Sequence, residues 1–115
     1  MATSDHERAS ERAEYPSGWL AIGRHETIVY MLDAILDFPA HRGFTQTELA
    51  EMADVSRQSV SRHLGFLLDI EVIEPIENTS PQRFHFNPES EVSKALIQLD
   101  GAMNTAGREL TSADS

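Results

Sequence analysis

Arg57, Gln58, Ser59, Ser61, Arg62 and His63 stand within seven positions of one another; every one can donate a hydrogen bond and none is acidic. Arginine presents a fork that matches guanine, glutamine pairs with the edge of adenine, and short hydroxyls reach phosphate oxygens. That set of side chains suits non-covalent recognition of the major groove of DNA. In this scheme Arg57, Gln58, Ser59 and Arg62 read base edges, while Ser61, His63 and the upstream Thr47 hold phosphates.

Other chemistries find less support. The five histidines are His6, His25, His41, His63 and His85, with no H-x-x-x-H pair and no carboxylate at ligand spacing. His25, His41 and His85 would have to converge in space to hold an ion, and the expectation is scattered surface histidines and no metal. No glycine-rich phosphate loop or nucleophile elbow occurs. Glu71, Glu74 and Glu77 alternate with apolar residues as a solvated strand face does, so no enzyme and no cofactor are expected. With no cysteine there is neither a disulfide nor a thiolate site.

The elements that would position the donor row are legible around it. Thr45 is an N-cap, and Glu48 three residues on completes a capping box. Leu49, Ala50, Met52 and Ala53 supply the apolar face of a first short helix. It ends at Asp54, a residue type that tolerates the left-handed conformation. Ser56 caps a second helix, whose buried stripe is Val60, Leu64, Leu67 and Leu68. Small Ala50 lets the helices approach, and Val55 and Val60 fill the angle between them. Residues 45–69 thus read as a helix-turn-helix.

Around this unit, residues 1–14 lack apolar periodicity and are expected to be a disordered tail. Residues 15–23, with Pro16, Gly18 and Gly23 among Trp19, Leu20 and Ile22, are expected to pack as an irregular arm or short turn. A helix is predicted over about 24–37, its core face formed by Ile28, Met31, Leu32 and Ile35 and its end set by Pro39. Val29 and Leu36 lie off that face, as for a helix buried against a second subunit. Residues 41–44 form a connector or minimal strand. Residues 70–76 and 82–87 read as strands joined by a polar turn, Pro75 requiring an edge and Phe84 and Phe86 sharing one face. Asn87 and Pro88 are expected to start a last helix with a stripe of Val92, Ala95, Leu96, Leu99, Ala102, Met103 and Ala106. Residues 107–115 are expected to fray.

At 115 residues the chain has room for one modest core, here 24–106. No apolar run reaches bilayer length and the polar start lacks a signal-peptide layout, so the expected place is the cytoplasm. Nine basic against nineteen acidic residues give a net charge of −10, unlike an ordinary DNA-binding domain. From residue 42 to 65, Arg42, Arg57 and Arg62 balance Glu48, Glu51 and Asp54, and the excess lies elsewhere, at Asp33, Asp37, Asp69, Glu71, Glu74, Glu77 and the tails. Eight of the nine basic residues are arginine, Lys94 being the lone lysine. Such a surface looks like that of a protein from a very salty cytoplasm, as in haloarchaea, where charge repulsion is screened within a few ångströms.

Two motifs, TELAEMADVSRQSVSRHL and IEVIEPIENTSPQRFHF, make the chain resemble the winged helix-turn-helix regulators of bacteria and archaea, broadly the MarR- and ArsR-like group, over about residues 27–99. The resemblance implies a mainly α fold: a three-helix core, a two-stranded antiparallel wing and a C-terminal helix. It implies that residues 56–68 enter the major groove of double-stranded DNA, with Arg83 as a wing contact. It also implies a homodimer, for which Trp19, Val29, Leu36, Leu96, Leu99 and Met103 are the candidate interface. Asp54 and Glu71 stand where such proteins often have glycine, and the wing is poor in base. The implied role is a transcription regulator at an inverted-repeat operator. Two rivals are a winged helix that binds protein instead of DNA, and a replication or partition factor of a plasmid or virus. No dedicated effector domain is expected; a dimer-interface pocket would be the place for a small molecule.

Overall fold

The computed structural model describes residues 18–39 and 41–114, with side chains up to 108. The expected tail over 1–14 and the first residues of the arm lie outside the described residues. In chain order the elements are α1 Gly18–Gly23, α2 Glu26–Asp37, β1 Phe44–Thr45, α3 Gln46–Ala53, α4 Arg57–Asp69, β2 Ile73–Ile76, β3 Arg83–Phe86 and α5 Glu91–Asp114.

Each stop and start has a local cause. The residue before a proline is driven to extended backbone, and Phe38, before Pro39, ends α2 at φ −72°, ψ 140°. Thr45 caps α3 reciprocally: its Oγ1 accepts the Glu48 N–H at 3.1 Å, and Glu48 Oε1 accepts the Thr45 N–H at 2.9 Å. Asp54 takes the left-handed conformation, φ 56° and ψ 45°, and turns the chain into α4. There the Ser56 Oγ accepts the Ser59 N–H at 3.0 Å. Glu71 is also left-handed, at φ 62°, which reverses the chain out of α4.

The core lies where α2, α3 and α4 meet the sheet. Ile28, Met31, Leu32 and Ile35 bring one face of α2 against Leu49 of α3 and Val60, Leu64 and Leu67 of α4. Val72 and Ile73 close the far end. Phe44 fills the angle between helices and sheet, its ring stacked on Phe38 at 5.0 Å and tilted on Phe84 at 6.5 Å. The sheet has the order β1-β3-β2, with Phe44 opposite Phe84 and Ile73 opposite Phe86. Pro75 lies on β2, an edge strand, as its missing N–H demands. Gly43 has a steric reason: a Cβ there would stand 2.6 Å from Ile76 Cδ1.

Several boundaries differ from the sequence reading. The wing pair gains β1, so the sheet has three strands. Strand β2 starts at Ile73, because Ile70 and Glu71 are used in the reversal. Of the two forms expected for the arm, residues 18–23 take the short turn, as helix; the Arg24 N–H bonds to the Leu20 carbonyl at 2.9 Å. The last helix does not start at Asn87 and Pro88. Asn87 Oδ1 accepts the Glu89 N–H, while the cap is Ser90, whose Oγ accepts the Ser93 N–H at 3.1 Å. Nor does that helix end at Ala106: with no proline to stop it, α5 runs to Asp114.

Candidate nucleic-acid interface

The inner stripe of α4 is held in the core by Val60, Leu64 and Leu67, so its opposite face must point outward. Arg57, Gln58, Ser61 and Arg62 are exposed there, and Thr47 is exposed on α3 beside them. The first turn of α4 has no acidic residue, so the partial positive charge of the helix start adds to Arg57. Four of the sequence-predicted contacts thus share one accessible helix face.

Besides Thr47 on α3, the remaining three, Ser59, His63 and Arg83, are committed within the fold. Ser59 is half-buried and takes part in the α4 cap through both its N–H and its hydroxyl, which accepts from Ser56 Oγ at 2.8 Å. His63 is half-buried against His25, the residue before α2, with ring centroids 4.9 Å apart. Burial first, then the nearby His25 and Arg62, push the His63 pKa below the ordinary histidine value. A neutral ring at neutral pH makes a weaker phosphate partner than the sequence suggested. Nothing in the sequence pairs His25 with His63, since they are far apart along the chain.

Arg83 departs furthest from its expected role. Its guanidinium donates to the Gly43 carbonyl at 2.8 Å and lies 3.2 Å from the Glu48 carboxylate. Arg42 approaches the same carboxylate at 3.6 Å and lies over the Phe38 ring. The hydrogen bond from the Thr45 N–H, with Arg83 and Arg42, draws the Glu48 pKa below the usual carboxylate value, against a smaller opposing effect of burial. Glu48 therefore joins the helix-turn-helix to the root of the wing. The wing turn is closed on itself: Thr79 Oγ1 donates to the Ile76 carbonyl at 2.8 Å and accepts the Arg83 N–H at 2.9 Å. Beyond the turn, Glu74 lies 3.4 Å from His85. The wing offers acid, not base.

On the opposite side, Trp19, Val29, Leu36, Leu96, Leu99 and Met103 line one apolar groove of about 280 Å³ between α1, α2 and α5. All the candidate interface residues are thus brought together. Trp19 is 66% exposed and Met103 61% exposed, so the described residues do not cover them. Among the described residues no cluster of three or more potential ligands could hold a metal, and no helix is long and apolar enough to cross a membrane.

Three packed helices with a helix-turn-helix at their centre, followed by a hairpin whose sheet includes a strand ahead of that unit, define the winged-helix fold. Solved structures share it. NolR from Sinorhizobium fredii aligns with a TM-score of 0.56 over 92% of this chain and 95% of its own, at 17% identity. The MarR family transcriptional regulator SPO1453 from Silicibacter pomeroyi aligns with a TM-score of 0.55 over 93% of this chain and 76% of its own, at 14% identity. Neither a protein-family model nor a curated protein matches the sequence.

Proposed function

We propose that this protein is a homodimeric, sequence-specific regulator of transcription that binds double-stranded DNA through α4. The observation that carries the reading is the outward face of α4, where Arg57, Gln58, Ser61 and Arg62 stand together with no carboxylate in the first turn. The fold supports it, since one structure that shares this fold is described as a MarR family transcriptional regulator. Base edges are read by Arg57, Gln58 and Arg62; Ser61 and Thr47 hold phosphates, while Ser59 serves the α4 cap and His63 the contact with His25. Arg83 acts at the wing root. A two-fold axis through the α1–α2–α5 groove sets two copies of α4 about one DNA turn, roughly 34 Å, apart, which selects an inverted repeat.

The acidic, lysine-poor surface fits a cytoplasm of high salt, where the charge of −10 is screened. Selection from a random DNA pool by the purified protein at about 2 M KCl tests the reading. An enriched inverted repeat is expected, with Arg57→Ala or Arg62→Ala each weakening binding to it by about 1–3 kcal/mol and leaving the fold intact. A folded dimer that enriches no sequence at high or low salt would move the assignment to a protein-binding winged helix, the reading that the acidic wing favours.

A further inference from the structure

Gly65 stands at the centre of the outer face of α4. At about 100° per residue it points within roughly 20° of Gln58, and it lies one turn beyond Ser61 and Arg62. It is exposed, its backbone is helical, and a Cβ built on it meets no atom within 4 Å. The contrast with Gly43, which packs against Ile76, is direct: nothing among the described residues calls for glycine at 65. Glycine is also the poorest residue for a helix interior after proline. Openness alone is not distinctive, since a Cβ at Gly101 also meets nothing. What singles out Gly65 is its place in the donor row.

We infer that Gly65 is the point at which α4 comes closest to the sugar–phosphate backbone of DNA, the absent side chain admitting a strand that a larger residue would hold off. The inference rests on the reading of α4 as the DNA-facing helix. Ser61, one turn earlier, is short as well and keeps a hydroxyl to donate to a phosphate, while the longer Gln58 and Arg62 reach past it toward the bases. Asp69, one turn later, is exposed and would repel phosphate. The strand therefore crosses α4 near Gly65 and leaves before Asp69, which confines base reading to the first half of the helix.

Gly65→Ala and Gly65→Leu test this through two readouts, thermal unfolding of the free protein and affinity for the repeat selected by the wild type. Both substitutions improve helix propensity, so the melting temperature is expected to rise by a few degrees, about 4 °C for alanine. Affinity is expected to fall several-fold for alanine and by more than about tenfold for leucine, as a steric block grows with side-chain size. Either variant binding as tightly as the wild type would overturn the inference and leave the DNA-binding reading standing. A wild type that binds no DNA at any salt would overturn both.

Discussion

Phe44 and Leu99 are both large apolar side chains, and their fates differ. Phe44 is wholly buried between α2, the helix-turn-helix and the sheet, whereas Leu99 on α5 is 40% exposed. The same split runs through the molecule. Around Phe44 the helix-turn-helix and the wing close on each other, and no buried side-chain polar atom lacks a partner among the described residues. Around Leu99 the apolar stripes of α1, α2 and α5 meet without covering one another, leaving Trp19, Val29 and Met103 exposed. Single exposed apolar residues are ordinary on protein surfaces, but a contiguous lined groove is a surface that another molecule can remove from water. One half of the described structure buries its apolar side chains; the other leaves an apolar groove open, which is where the proposed dimer would close.

The sharpest way to break this contrast is to charge the groove. Leu99→Asp combined with Met103→Asp would put two carboxylates per chain into an apolar contact, at a cost of several kcal/mol of association. Light scattering is expected to show a monomer that keeps its wild-type helical circular dichroism. A variant as dimeric as the wild type would place the interface elsewhere.

Within the closed half, Phe44→Ala removes a ring that stacks on Phe38 and lies tilted against Phe84 and is expected to lower unfolding free energy by about 3–5 kcal/mol. A denaturant titration that shows less than about 1 kcal/mol would mean that the sheet relaxes into the space.

Glu48→Ala is next in size, at about 1–2 kcal/mol, since it breaks the capping box and frees Arg83. Its pH dependence carries the sign of a lowered carboxyl pKa. The contribution is full above the unfolded value of about 4.3 and is lost as pH falls through the lower folded value. The acid limb of a stability–pH curve is therefore expected to be shallower in Glu48→Ala than in the wild type.

His63→Asn gives the smallest effect. A histidine pKa lowered by folding favours the neutral ring, so its contribution is present above about pH 6.5 and lost as pH falls through the folded value. The wild type is expected to lose stability on acidification through that window, and the variant less of it. Superimposable curves would show that the burial of His63 carries no proton linkage.

Much of this architecture is visible along the chain because its determinants are local. The Thr45–Glu48 box, the left-handed Asp54 and the Ser56 cap each act over three or four residues, and all three occur where the sequence puts them. The pairing of Phe84 and Phe86 on one strand face follows from the alternation of a strand. The exposed row Arg57, Gln58, Ser61 and Arg62 follows in the same way, because the apolar stripe of α4 fixes which side faces out. The start of the last helix is misplaced where two local signals compete. Asn87-Pro88 and Ser90 are both good helix starts, and the side chain of Asn87 is engaged instead with the Glu71 carbonyl and the Glu89 N–H.

Legible along the chain, then, are most of the helices and strands, the reversal at Asp54 and the polar face of α4. Each rests on backbone conformation or on a period of two or 3.6 residues, which neighbouring positions encode. Only the tertiary structure decided that Arg83 faces Glu48 and Gly43, that His63 meets His25, and that Trp19 shares a groove with Met103. These contacts join residues far apart along the chain, and no period relates such positions. They follow from how helices and sheet pack, which removes one arginine from the candidate DNA surface and gathers the apolar side chains of three helices into one groove.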